Sequence, residues 1–202
     1  MNSDRAKRLE YMADPEFKLK WGLVYWAVRQ YSRWRPRILD LGCGPFPFPD
    51  LFPEVDPDFY LGIDSYAPII RGRQETESIR YVVGDIRSLD GAALAGEHGL
   101  FDLILWAGVA CQWKEWQRII PRILPAIGEG GALIMEYWDQ PPDLETRMAG
   151  ICGITHVNGC GLQADYAPEQ HAPTMPTVYR RRLEIFIRTP SDRPVFIRRR
   201  RK

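Results

Sequence analysis

Arg37-Ile38-Leu39-Asp40-Leu41-Gly42-Cys43-Gly44 is a short β-rich run that stops at two glycines one residue apart. A strand closed by such a turn predicts the first and central strand of an α/β sheet. Working outward, comparable runs occur at Phe59-Tyr60-Leu61-Gly62-Ile63, at Tyr81-Val82-Val83, at Phe101-Asp102-Leu103-Ile104-Leu105-Trp106 and at Ala132-Leu133-Ile134-Met135-Glu136-Tyr137. Near-continuous apolar strands separated by roughly twenty to thirty residues indicate parallel strands covered on both faces, because alternation disappears when neither side meets water.

The connections are consistent with this layout. Before the first strand, Phe17, Leu19, Trp21, Val24, Tyr25, Val28 and Tyr31 recur at mixed three and four spacing, which predicts a helix over about 16–34. Trp113, Trp116, Ile119, Ile120, Ile123 and Leu124 form a second stripe, and Gly128 to Gly131 are expected to close that crossover before the fifth strand. The first crossover is different. Pro45, Pro47, Pro49, Pro53 and Pro57 fall within it, and proline both lacks a donor and clashes with the preceding turn. An extended loop with at most a turn or two of helix near Asp50 to Glu54 is predicted. The stretch 139–177 carries no comparable strand signal and reads as an active-site cover or a loop. The runs 177–187 and 194–197 flank Thr189-Pro190-Ser191-Asp192 and read as a β-hairpin.

Composition bounds the function. The chain has 202 residues, is 45% hydrophobic and 26% charged, and carries a formal net charge of +1. That is enough for one well-buried domain, with no global electrostatic pull toward nucleic acid or an anionic membrane. Cys43, Cys111, Cys152 and Cys160 lack the spacing of a secreted disulfide scaffold. No apolar stretch approaches the ~20 residues that span a bilayer, and Met1-Asn2-Ser3-Asp4-Arg5 lacks a signal-peptide apolar region. A cytoplasmic location is expected.

In open α/β sheets ligands bind beyond the carboxyl ends of the strands, where strand order reverses. Asp40, Gly42, Cys43, Gly44, Asp64, Asp85 and Trp106 all fall at that edge. The glycines allow a sharp turn and close approach of a ligand. Asp64 has the acceptors for two vicinal ribose hydroxyls, and Asp85 can accept from an exocyclic amine such as adenine N6. Singly, Asp40 could cap a turn and Asp85 a helix near Ser88; together with Asp64 they suggest a site.

These residues resemble the class I S-adenosylmethionine-dependent methyltransferases over 38–138, about half the chain. The resemblance rests on the acidic-x-Gly-x-Gly turn at Asp40 to Gly44, Gly-Ile-Asp ending at Asp64, Gly-Asp-Ile at 84–86, Phe-Asp-Leu-Ile from Phe101 and Gly-Gly-Ala-Leu-Ile from Gly130. It implies an open, mostly parallel Rossmann-like sheet with helices on both faces and a C-terminal antiparallel hairpin. It also implies that Asp40 helps hold the cofactor's ammonium, that Gly42, Cys43 and Gly44 pass beneath its amino-acid part, and that Asp64 binds the ribose, with Ser65 next to it also among the cofactor-binding residues. Asp85 and Ile86 would read the adenine, with Trp106 and Ala107 beside the methionine. The chain then divides into 1–36 (N-terminal helical region), 37–138 (cofactor-binding core), 139–177 (acceptor-side cover) and 178–202 (hairpin and basic tail) of a single domain. One departure stands out: Phe46 occupies the third glycine position, and prolines break the helix whose N-terminus would favour a ligand carboxylate. A basic side chain could substitute for it.

The expected function is methyl transfer from S-adenosylmethionine to an unidentified acceptor, a small molecule or glycan. The alternatives are a catalytically silent methyltransferase-like binding module, an RNA methyltransferase using Arg180-Arg181-Arg182 or 198–202, and an NAD-dependent oxidoreductase. The last is disfavoured by the missing final glycine of G-x-G-x-x-G. A general base is optional; Glu136, Asp139, His156 and His171 are the candidates. Trp106-Ala107-Gly108-Val109-Ala110 is not the Asn-Pro-Pro-Tyr type of signature that grips a planar nitrogen. Cys152, His156 and Cys160 mimic a metal set, but their spacing and the intervening glycines do not suit zinc, and no metal is expected. Trp113 and Trp116 are expected to face the core, and Cys43 to pack.

Overall fold

The computed structural model describes residues 15–107, 109, 113–138, 154–165 and 178–188. In chain order the elements are α1 (Pro15–Tyr31), β1 (Arg37–Leu41), α2 (Phe48–Leu51), β2 (Phe59–Asp64), α3 (Ala67–Ile70), β3 (Ile79–Val83), α4 (Gly91–His98), β4 (Phe101–Ala107), α5 (Trp113–Ile123), β5 (Ile127–Trp138), β6 (Ile154–Asp165) and β7 (Val178–Arg188), with single 3₁₀ turns at Pro53–Val55, Ile86–Ser88 and Leu124–Ala126. The strands form one sheet in the order β3-β2-β1-β4-β5-β7-β6. The pairs β3-β2, β2-β1, β1-β4 and β4-β5 are parallel, whereas β7 runs antiparallel to both β5 and β6. Strand order reverses between β1 and β4, so the crevice expected of such a sheet lies at their carboxyl ends.

Helices cover both faces, which explains the lack of alternation in β1 and β4. On one face Leu39, Leu41, Ile63, Ile104 and Trp106 pack against Trp116, Ile119, Ile120 and Ile123 of α5. On the other, Ile38, Tyr60, Leu103, Leu105 and Ile134 pack against Trp21, Val24, Ala27 and Val28 of α1 and against Phe48. Trp116 is buried, as its place in the stripe predicted. The opposite, amino-terminal edge is pinned by charge: Asp102 accepts from the Arg33 guanidinium at 2.8 Å and from the Arg37 backbone N–H at 2.7 Å.

The first crossover is the proline-stiffened loop that the sequence predicts, with only the four residues of α2 and one 3₁₀ turn in helical form. Three other expectations need correction. First, Gly128 to Gly131 do not precede β5 but lie within it. Phe101 pairs with Ile127 and Leu103 with Ala132, so these four glycine-rich residues bulge opposite Asp102 alone. Second, 139–177 is not strand-free, because 154–165 forms β6. Its Gly159 and Gly161, paired with Glu184 and Arg182, weaken a local strand signal that long-range pairing overrides. Third, among the described residues the C-terminal antiparallel pair is β6 with β7, and β7 lies between β5 and β6; the run 194–197 lies outside the described residues. Among the described residues, no helix is long and apolar enough to cross a membrane.

Close packing of α4 on α5 generates a test. A Cβ added at Gly91, the first residue of α4, would stand 2.6 Å from the carbonyl oxygens of both Arg122 and Ile123. Gly91→Ala is expected to destabilise the protein by ~1–3 kcal/mol through overpacking, opposite in sign to the usual benefit of alanine in a helix. Urea unfolding curves of the two proteins check it; an unchanged or higher midpoint contradicts the packing.

Candidate functional site

At the carboxyl end of β1 the chain turns through Gly42 and Gly44, both at positive φ (69° and 64°). A side chain is strained in that conformation. The turn is fastened to β2, since the backbone N–H groups of Gly42 and Cys43 donate to the Ile63 carbonyl at 2.7 and 3.2 Å. Val109, just past β4, closes over it, and a Cβ at Gly42 would approach Val109 Cγ2 to 3.1 Å. Asp64, the last residue of β2, is partly exposed and accepts from the N–H of Gly44 at 3.0 Å and of Tyr66 at 2.8 Å. Its carboxylate is thus oriented by backbone donors from two loops.

Asp40 lies directly beneath this turn and is only 1% exposed. The Tyr60 hydroxyl donates to its Oδ2 at 2.6 Å, and the Phe48 backbone N–H also bonds its carboxylate. Burial raises the Asp40 pKa to about 6 despite those two bonds and the nearby Lys20 ammonium, and the charge of Asp64 adds to the rise. Burial, followed by the Asp40 charge, holds Tyr60 well above its ordinary pKa, so its phenol remains a donor. Cys43 is a buried free thiol whose pKa is raised by burial and then by Asp40 and Asp64. It packs rather than reacts, and its backbone is its contribution to the turn.

Asp85 follows Gly84, whose N–H donates to the Asp64 carbonyl at 3.0 Å, so it stands at the same edge one strand further out. Its carboxylate caps the 3₁₀ turn by accepting from the Arg87 N–H and pairs with the Arg87 guanidinium at 2.7 Å. Arg87 and its backbone then hold this turn to α5: the Arg122 guanidinium donates to the carbonyls of Arg87 and Ser88 at 2.9 and 3.2 Å. Ser65 is exposed beside Asp64, and Ile86 is partly buried against the α5-side core. The Trp106 ring is fully buried and packs edge-on to Trp116 with centroids 6.0 Å apart. Strand alternation sends Ala107 to the opposite, α1-facing side.

Of the general-base candidates, Glu136 is fully buried on β5 opposite Ala107. His156 is on β6, while Asp139 and His171 lie outside the described residues, as does Cys152. Among the described residues no cluster of His, Cys, Asp or Glu could hold a metal ion.

Two basic residues at this edge escaped the sequence reading. Lys20 is 6% exposed and donates from Nζ to the Ala107 carbonyl at 3.2 Å. It does have a signal in the sequence, because it sits on the buried stripe formed by Phe17, Trp21, Val24 and Val28. Arg73 has no such signal. Its guanidinium donates to Asp50 Oδ2 at 2.9 Å and to the Pro45 carbonyl, its Nε donates to the Ile69 carbonyl at 3.1 Å, and it lies over the Tyr81 ring. It braces the proline loop that a long helix would otherwise stiffen.

No family model matches the chain, and neither does any curated protein. Its fold does match solved structures. One is the 1,6-didemethyltoxoflavin-N1-methyltransferase of Burkholderia thailandensis with bound 1,6-didemethyltoxoflavin and S-adenosylhomocysteine, at TM-score 0.63 and 14% identity over 93% of this chain and 84% of that one. Another is the N-methyltransferase NodS of Bradyrhizobium japonicum, at TM-score 0.60 and 17% identity over 89% and 99%. A third is a TehB-like SAM-dependent methyltransferase of Corynebacterium glutamicum, at 0.61 and 18% over 92% and 97%. The chain therefore has the class I S-adenosylmethionine-dependent methyltransferase fold.

Proposed function

We propose that the protein binds S-adenosylmethionine in the crevice between β1 and β4 and transfers its methyl group to a small-molecule or glycan-type acceptor. The observation that carries this reading is the joint placement of Asp40, Asp64 and the Gly42–Gly44 turn at the switch point of the sheet. Asp64, held open by two backbone N–H donors, has acceptor capacity left for a ribose diol. The turn leaves no Cβ between its backbone and a ligand. Asp85 would exchange its exposed Arg87 partner for an adenine amine.

The cofactor supplies an activated methyl group on a good leaving group, so alignment of the acceptor accounts for most of the acceleration. The chain's part is to bind, orient and exclude water; Glu136, buried beside Ala107, is the described carboxylate placed to take a proton if the acceptor has one to lose. Loss of the long helix after β1 favours a silent binding module as the second reading, and formation of S-adenosylhomocysteine from the cofactor in cell extract distinguishes the two.

Asp40 supports a functional site by its cost. Its pKa in the folded protein is about 6, against 3.8 for the free group. The folded state therefore binds the proton more tightly, so stability is greatest below about pH 4 and falls as pH rises to about 6. A two-unit rise corresponds to on the order of 3 kcal/mol at neutral pH. Asp40→Asn is expected to raise stability at pH 8 by up to about that amount, with the gain vanishing below pH 4, while weakening S-adenosylhomocysteine binding. Thermal melts across pH together with calorimetry check both halves; unchanged affinity removes the ligand role.

Calorimetric titration of the native protein is expected to show binding of S-adenosylhomocysteine and none of NAD. Asp64→Ala should lower that affinity by roughly tenfold or more, the scale of lost charge-assisted hydrogen bonds. A normal isotherm in this variant contradicts the ribose role.

A further inference from the structure

We infer that Tyr60 is a positioning residue for the cofactor site, holding a proton-sensitive carboxylate in place, so that cofactor binding is coupled to the loss of one proton from Asp40. The inference rests on the cofactor reading above and adds to it a residue and a pH dependence.

Parallel pairing sets Gly62 of β2 opposite Asp40, with Tyr60 two residues before it on the same face. Because Gly62 has no side chain, the Tyr60 ring passes over it: a Cβ there would stand 3.0 Å from Tyr60 Cε1 and 3.0 Å from Cys43 Sγ. The hydroxyl thereby reaches Asp40 Oδ2 at 2.6 Å, from a ring that is fully buried and set edge-on to Tyr81 at 5.9 Å. A phenol can donate to a carboxylate and accept from a carboxyl, so the same contact serves Asp40 with or without its proton.

The groups around Asp40 oppose one another. The Lys20 charge on α1 and the hydrogen bonds from Tyr60 and the Phe48 N–H favour the carboxylate, whereas burial and the charge of Asp64 disfavour it. Burial holds Cys43 and Tyr60 in their protonated forms, and Arg73 acts on the turn through Cys43. Burial prevails at Asp40 too, leaving an acid that titrates at about 6. Of the histidines in described elements, His98 stacks on Phe59 at the far end of β2, and His156 is on β6, four strands from β1. A ligand ammonium placed at the turn adds a positive charge that stabilises the carboxylate and drives its proton off. That proton leaves to solvent and the ammonium keeps its own, so one charge pair forms for each proton released.

Calorimetry of the full chain with S-adenosylhomocysteine from about pH 5 to 7.5, in buffers of differing ionisation heat, tests the coupling. Affinity should fall about tenfold from pH 7 to pH 5, with about half a proton released at pH 6. 5′-Methylthioadenosine, which lacks the ammonium, should change by less than about twofold over the same range. Tyr60→Phe removes a hydrogen bond that favours the carboxylate, so the midpoint should rise by about one unit, with 5′-methylthioadenosine affinity within about threefold of native. A midpoint that stays in place while both ligands weaken at every pH overturns the role of Tyr60. A flat profile for S-adenosylhomocysteine, or the same profile for both ligands, overturns the coupling without any variant, so the test holds even if Tyr60→Phe does not fold. If the native protein binds neither ligand, the cofactor reading itself fails and takes this one with it.

Discussion

A carboxylate buried at the end of the central strand is the constraint around which the carboxyl edge is assembled. Asp40 cannot be left unsolvated without partners, and those partners come from three separate parts of the chain: the Tyr60 hydroxyl from β2, the Phe48 N–H from the first crossover and the Lys20 charge from α1. Each of these elements is consequently tied to the same point. The glycine turn above it is tied there too, through Asp64 and the Ile63 carbonyl. Even with these bonds burial holds the Asp40 pKa up at about 6, so its charged form costs stability that an apolar side chain would not.

The first crossover shows how the fold compensates for its prolines. A long helix after β1 would stiffen the turn and aim backbone donors outward. In its place Arg73, from beyond β2, holds the Pro45 carbonyl and Asp50 together and stacks over Tyr81. Phe48 and Phe52 fill the space beneath, with Phe52 stacked on Tyr25 of α1. Rigidity comes from side-chain bracing and aromatic packing.

The two sides of the sheet serve different ends. β3, β2, β1, β4 and β5 are parallel and carry the cofactor-side residues at one edge, whereas β6 and β7 extend the sheet antiparallel beyond β5. Glu136 and Ala107 pair across the parallel junction of β4 with β5, one strand away both from the crevice between β1 and β4 and from the antiparallel pairing of β5 with β7.

Much of this was legible in the sequence because it depends on local chemistry. Apolar runs such as Leu103 to Trp106 are buried on both faces wherever they sit in such a sheet, Gly42 and Gly44 permit positive φ, and prolines deny an N–H to the crossover after β1; the central place of β1, and that of Asp40 and Asp64 toward the carboxyl ends of their strands, follow from the glycine turn and the apolar runs. What only the tertiary structure decided depends on which surfaces meet. The capture of β7 between β5 and β6, the turning of Trp106 into the core, the Arg87 partner of Asp85 and the arrival of Lys20 beside Asp40 are all contacts between distant stretches. Their energies come from pairing and burial across the fold, and no short window of residues contains both partners of a long-range contact.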